Sequence, residues 1–237
     1  MQRPLKTLLR KGEEPEINTE QIIYGEDALR NNIGQIAEIM AQDGKTSYEY
    51  DFKGNVIRQS KCFTETFDVQ TDWDNTPHLQ RETFITQTSY NALNQPINLV
   101  HPDNTIVKYS YDKRGLLQSI SQNDIIYITN ISYNPKGQRE NIYYGNNTKT
   151  RYDYNPLNFR LERILTTRNG GQDILQDLNY IYDPEGSIIE IRDHTQQIHY
   201  FNNQVVDPVS RYKYDALYRL KEATGRELSN LSIPTHQ

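Results

Sequence analysis

Tyr109-Ser110-Tyr111-Asp112-Lys113-Arg114-Gly115 and Tyr48-Glu49-Tyr50-Asp51-Phe52-Lys53-Gly54 spell one phrase: aromatic, any residue, Tyr, Asp, two residues, Gly. Side chains alternate across a strand, so the two tyrosines of each phrase share a face. Tyr is a good strand former, and its ring can stack on a ring of the next strand. The Asp can accept a hydrogen bond from a backbone amide two residues on, which starts a turn. Gly three residues later tolerates positive φ and closes a short hairpin loop. Apolar or β-branched runs then follow, Val56-Ile57 in one copy and Leu116-Leu117 in the other, as the return strand.

Further copies stand at Tyr133-Asn134-Pro135-Lys136-Gly137 and Tyr182-Asp183-Pro184-Glu185-Gly186. Copies without the Gly stand at Tyr90-Asn91-Ala92-Leu93-Asn94, Tyr154-Asn155-Pro156-Leu157-Asn158 and Tyr214-Asp215-Ala216-Leu217-Tyr218. Anchor tyrosines at 50, 90, 111, 133, 154, 182 and 214 leave gaps of 40, 21, 22, 21, 28 and 32 residues. A gap near 21 fits two strands of about seven residues and two short turns. The long first gap reads as an inserted loop near residues 64–81, which holds Trp73 and Pro77. The last two gaps read as lengthened outer loops around Asn169-Gly170-Gly171 and 202–208. The fold class that follows is all-β: stacked antiparallel hairpins in a repeat architecture.

Upstream, Ile33, Ile36 and Ile39 are three apart, so periodicity alone also allows a helix. The Asp43-Gly44 turn favours a strand that pairs with 46–50. Glu26 to Asn31 reads as a short helical turn. Residues 1–21 read as an irregular segment, 22–230 as the repeat sheet, and 231–237 as an irregular tail.

Composition agrees with thin sheet. Hydrophobic residues make up 35% of 237, and 18 of the residues are Tyr. That is below the typical apolar share of about 45–50% on a count that includes Gly. The net charge of −5, with both signs interspersed, gives no basic stripe for nucleic acid. No apolar run of about 18 residues is present, so no transmembrane helix is expected. Residues 1–12 lack the apolar core of a secretory signal. Cys62, the lone cysteine, reads as a small strand residue. The five histidines read as strand or loop residues. Asp residues recur because the turn is copied, so they are read as structural, and no catalytic, cofactor or metal site is expected.

The phrase resembles the YD repeat of the RHS family. Tyr212-Lys213-Tyr214-Asp215-Ala216-Leu217-Tyr218-Arg219-Leu220-Lys221-Glu222-Ala223-Thr224-Gly225-Arg226-Glu227 closely matches that family's "YDALxRLxxATGRE" phrase. The order Tyr24-Gly25-Glu26, Asp72-Trp73, Tyr90-Asn91-Ala92-Leu93-Asn94 and Pro102-Asp103-Asn104 looks like the RHS stretch of bacterial insecticidal toxin complexes. The resemblance covers roughly residues 20–230. It implies a curved, spiral sheet forming part of a hollow shell that encapsulates a toxic polypeptide. The implied partners are other parts of the B/C toxin subunit shell and the enclosed cargo, and the implied setting is a secreted toxin.

The family's late autoprotease signature, close to "GLYYYGARYYDP", is absent here, so no protease is carried over. About 14 strands at ~4.8 Å span about 67 Å, too little to enclose a domain, so the chain is expected to be a piece of the wall. The expected structural anchors are Tyr50, Asp51, Gly54, Tyr90, Asn91, Tyr111, Asp112, Gly115, Tyr133, Asn134, Gly137, Tyr154, Asn155, Tyr182, Asp183, Gly186, Tyr214 and Asp215. An alternative function is an extracellular module that binds carbohydrate or a cell surface, since tyrosines flanked by Asn and Gln can stack on sugars.

Overall fold

The computed structural model describes residues 6–10, 16–66, 69–75, 77–201 and 204–225. The tail 231–237 and the last residues of the 22–230 region lie outside the described residues, as does Arg226-Glu227 of the final phrase. Among the described residues the regular structure is β-strand, with three short 3-10 turns and no α-helix. The chain divides into two compact units, Met1–Ser110 with Ile120–Asp124, and Tyr111–Ser119 with Ile125–Gln237.

The first unit is an antiparallel meander of β1 (Lys6–Leu9), β2 (Ile17–Tyr24), β3 (Ile36–Ala41), β4 (Gly44–Tyr50), β5 (Val56–Phe63), β6 (Phe84–Tyr90), β7 (Pro96–Val100) and β8 (Ile106–Tyr111). Each strand pairs with the next in sequence. The Asp-Gly turn resolves the helix-or-strand ambiguity: Glu38 pairs with Ser47 and Ile39 with Thr46. Ala28–Arg30 forms the short helical turn, a 3-10 turn capped by Asp27.

The division between units falls within β8 and β9 (Leu117–Gln122). The second unit continues with β10 (Ile125–Tyr133), β11 (Arg139–Tyr144), β12 (Lys149–Tyr154), β13 (Leu161–Arg168), β14 (Asp173–Tyr182), β15 (Ile188–Asp193), β16 (His199–Phe201), β17 (Gln204–Val206), β18 (Val209–Tyr214) and β19 (Leu220–Thr224). From β10 to β15 each strand pairs with its successor, then β15 pairs with β18 and β18 with β19. β16 and β17 form a separate two-stranded ladder.

Three expectations change. The segment 1–21 is not wholly irregular: Lys6–Leu9 and Ile17–Tyr24 pair, with Lys6 opposite Gln21. Its weak alternation hid this, because register there is broken by a bulge between Thr7 and Leu8. The 28-residue gap is lengthened mainly in its strands: β13 has 8 residues and β14 has 10. The 32-residue gap holds the β16–β17 ladder and is not loop alone.

The segment between β5 and β6 folds back onto strand ends. Trp73 Nε1 donates to the Ala41 carbonyl at 3.1 Å, and Thr71 Oγ1 donates to the Gln42 carbonyl at 2.9 Å. Fully buried Asn18 donates its backbone N–H to Asp72 and its side-chain amide to Asp74. An Asp-Trp pair therefore anchors what would otherwise be a long free loop.

Little of either unit is core. Among the described residues the buried hydrophobic side chains are Tyr50, Ile131 and Ile142. Ile131 and Ile142 are direct cross-strand partners on β10 and β11. Tyr, Thr and Ile are common among the remaining strand positions, many of them half-exposed, as expected of a sheet whose apolar residues alternate with polar ones.

Candidate functional site

The seven Tyr-Asp or Tyr-Asn turns all join the end of one strand to the start of the next, so within each unit they gather on one rim. Their geometry is nearly uniform. Asp51 donates its N–H to the Asn55 carbonyl, and Gly54 donates to the Asp51 carbonyl, both at 3.0 Å. The same pair of bonds recurs at Asn91, Asp112, Asn134, Asp183 and Asp215. Each of these six turns has a three-residue loop ending in a left-handed residue, a turn that forms a bulge beside it. The register shift lies just before the anchor tyrosine, as between Glu49 and Tyr50, Ser89 and Tyr90, Ser132 and Tyr133, and Lys213 and Tyr214.

The Asp or Asn side chain fixes the loop from inside. Asp51 Oδ1 accepts from Lys53 N at 2.8 Å and Asn55 N at 2.9 Å. Asp112 Oδ1 accepts from Arg114 N and Leu116 N, Asn134 Oδ1 from Lys136 N and Gln138 N, and Asp215 Oδ1 from Leu217 N and Arg219 N. Asp183 Oδ1 takes Gly186 N and Ser187 N. These donors stabilise the charged form. The Asn55 side-chain amide first, with backbone amides beside it, holds the Asp51 carboxyl below its ordinary value. The Leu116 amide does so for Asp112 and the Arg219 amide for Asp215.

Gly54, Gly115, Gly137 and Gly186 have positive φ at the closing position. Where Gly is missing, another residue takes the left-handed backbone: Asn94 at φ 61° and Tyr218 at φ 59°. The Asn155 turn is one residue longer than its sequence suggested. Asn155 N reaches the Arg160 carbonyl, and the left-handed residue is Phe159 at φ 61°, not Asn158.

The anchor tyrosines do something the sequence did not disclose. Ring stacking was expected; in five of the seven the structure gives the hydroxyl a backbone partner. Tyr50 Oη donates to the Ile36 carbonyl at 2.7 Å, and Tyr90 Oη to Val56 at 3.0 Å. Tyr133 Oη donates to Leu117 at 2.6 Å, Tyr182 Oη to Leu161 at 2.7 Å, and Tyr214 Oη to Ile188 at 2.8 Å. Every acceptor is the first residue of the strand preceding the tyrosine's own in its ladder. Each phenol thus locks its turn to the hairpin before it. The signal was present in the preference for Tyr over Phe at the anchor position.

Neighbouring turns are also joined tip to tip. Lys53 Nζ donates to the Ala92 carbonyl at 2.7 Å, and Asn55 Nδ2 to Asn94 Oδ1 at 3.1 Å. In the second unit, Arg114 donates to the Asn134 carbonyl, Gln138 to Phe159, and Arg160 to Asp183 and Pro184. Lys136 Nζ lies 3.0 Å from the centroid of the Phe159 ring. The arrangement is a mechanical seam. Among the described residues no group of three or more His, Cys, Asp or Glu side chains is placed to hold a metal ion. No helix among them is long and apolar enough to cross a membrane.

No family model matches the chain. It is similar to toxin subunit YenC1 of Yersinia entomophaga, 30% identical over 195 residues, which is 82% of this chain and 16% of that protein. Toxin subunit YenC2 of the same organism is 43% identical over 74 residues, 30% of this chain and 8% of the relative. Among solved structures, TcdB2-TccC3-TEV matches with a TM-score of 0.77 at 28% identity, over 99% of this chain and 12% of that one. A Tc holotoxin pore of Photorhabdus luminescens matches with a TM-score of 0.72 at 29% identity, over 93% of this chain and 11% of that one. The chain therefore spans a small part of the proteins it resembles. Repeat phrase, strand order and these relatives agree that the chain belongs with the RHS-repeat regions of bacterial toxin-complex subunits.

Proposed function

We propose that this chain is a wall segment of a toxin-complex shell and that the shell encapsulates a toxic polypeptide. Its partners are the remaining parts of the shell and the cargo, and the assembled toxin is secreted. The role is structural: the anchor residues hold the wall and react with nothing. The observation that carries this reading is the thin core. Three buried hydrophobic side chains are too few for a free-standing globule among described residues of this number. Stability comes instead from backbone ladders, tyrosine locks and joined turns, which is how a sheet used as a partition is held.

Enclosure follows from the same features. A continuous ladder leaves no gap through which a protease or a second chain can pass. The carbohydrate-binding alternative has no comparable observation behind it.

The test is protease protection in the intact assembly. A protease dose that digests the isolated cargo is expected to leave the cargo whole inside the assembly. Digestion at the same rate in both would show that nothing is enclosed.

A further inference from the structure

We propose that Asn169 is a site of spontaneous, enzyme-free deamidation, and that the carboxylate formed there loosens the tip of the β13–β14 hairpin. This holds whether or not the wall encloses a cargo. Six asparagines set the contrast. Asn31, Asn94, Asn104, Asn123, Asn147 and Asn169 all hold the left-handed backbone, with φ from 50° to 66°. The residues that follow them are Asn32, Gln95, Thr105, Asp124, Thr148 and Gly170 in turn. Asn169-Gly170 is the one Asn-Gly pair in the sequence.

The next residue decides how long an asparagine amide survives. Deamidation needs the backbone nitrogen of that residue to reach the side-chain carbonyl carbon. A following side chain shields the nitrogen; glycine has none and permits close approach. A hydrogen bond donated by the nitrogen also holds it back. Gln95 N donates to Asn91 Oδ1 at 3.0 Å, Thr105 N to Asp103 Oδ1 at 2.9 Å, and Thr148 N to Asn146 Oδ1 at 3.1 Å. Asn32 N donates to the Asp27 carbonyl at 3.3 Å. In these four turns the attacking atom is tied down. The residue two before Gly170 is Arg168, a donor, and it gives the 3-10 turn Asn169–Gly171 no side-chain cap. Space is open as well: a Cβ on Gly170 or Gly171 would meet nothing within 4 Å. Residues 168–172 are exposed, as a loop tip open to chemical change must be.

The reaction balances with water alone. Gly170 N gives its proton to solvent and attacks Asn169 Cγ. The new N–C bond closes a five-membered imide, the Cγ–Nδ2 bond breaks, and the amide nitrogen takes a proton from solvent and leaves as ammonia. Water then opens the imide at either carbonyl carbon. One opening gives aspartate; the other gives isoaspartate, whose main chain is one carbon longer. Nothing is oxidised or reduced.

The product forms where it fits badly. Asn169 Nδ2 donates to Asp173 Oδ2 at 2.7 Å. After deamidation a carboxylate faces that carboxylate, and like charges at short range repel. Arg168 Nε, 3.4 Å from Asp173 Oδ2, must then serve two anions. The ladder is already interrupted close by, where the register shifts between Thr166 and Thr167.

The experiment keeps the assembled toxin for weeks in mildly alkaline and in mildly acidic buffer. Each asparagine is followed by peptide mass spectrometry, and isoaspartate by enzymatic methylation. Conversion at Asn169 is expected to run many-fold ahead of Asn94, Asn104 and Asn147, faster in the alkaline buffer and many-fold slower in Gly170→Ala. Hydrogen exchange around Thr167 and Ile174 is expected to rise several-fold in Asn169→Asp. An Asn169 that keeps its amide as long as the other three would overturn the site, and that comparison needs only the wild-type protein. Equal conversion at all four would mean unselective hydrolysis and would overturn it too. Undiminished conversion in Gly170→Ala would overturn attack by Gly170 N, and unchanged exchange in Asn169→Asp would overturn the loosening.

Discussion

Tyr50 is 9% exposed and spends its hydroxyl on the Ile36 carbonyl, so it serves as both core and clasp. Tyr50→Phe keeps the ring and removes the clasp; it is expected to cost about 0.5–1.5 kcal/mol, read as a lower urea midpoint with unchanged m-value. Stability unchanged in Tyr50→Phe would mean that the ring alone matters. The closing position tests the backbone. Gly115 stands at φ 80°. Gly115→Val is expected to destabilise by about 1–2 kcal/mol, because a side chain in that region crowds the following carbonyl. The turn chemistry was legible in the sequence, since Asp and Gly have few other reasons to recur three residues apart. The hydroxyl bond was not, because nothing in a one-dimensional phrase says which carbonyl lies above the ring. Phe159 and Tyr218 were illegible for a related reason: a bulky residue is the last expected at positive φ, and surrounding ladder bonds impose it there.

At the scale of a hairpin, β13 and β14 show how a long pair is held without a deep core. Arg163 Nε and Nη2 meet the two oxygens of Asp177 at 2.6 and 2.7 Å, and Asp177 is 5% exposed. The Arg163 guanidinium holds the Asp177 carboxyl below its ordinary value. Arg163 keeps 33% of its side chain in water, so solvent screens the pair and its Coulomb attraction counts for less than the bond lengths suggest. The larger consequence comes from breaking it. Arg163→Met leaves a buried carboxylate without its guanidinium, with the Asn179 amide still donating to it at 3.1 Å, and is expected to cost about 2–4 kcal/mol, while Arg163→Met/Asp177→Leu recovers most of that loss. Equal stability of the single and double variants would refute the argument. Strand existence here was plain from Tyr180, Tyr182 and the apolar run at 188–191. Strand length was not, because the extra residues are polar and a polar stretch reads as loop when its cross-strand partners are unknown. β1 was hidden by its shortness and by the bulge that breaks its register with β2.

Across each unit the turn carboxylates act together. Asp51, Asp112 and Asp215 have carboxyls lowered by hydrogen bonds donated to the charged form. A lowered native value means that stability is fully present above the ordinary carboxylate range, about 4, and is lost as pH falls through the native values. Thermal scans from pH 7 downward are expected to show a flat melting temperature to about pH 5 and a progressive fall below pH 4. Changing those three aspartates to Asn should flatten the acid limb, since Asn serves the same turn at positions 91 and 134 without titrating. The all-β class and the repeat were legible because periodic turns punctuate the chain; the seam between turns was not, because it joins residues 20 to 40 positions apart. The central claim is that these hairpins line a partition around a cargo. A cryo-electron microscopy map of the assembled toxin, with this chain located by a tag, tests it most directly. The account predicts the chain's hairpins side by side in a wall with density for a second polypeptide behind them; hairpins on the outside of a solid particle, or with no enclosed space behind them, would contradict it.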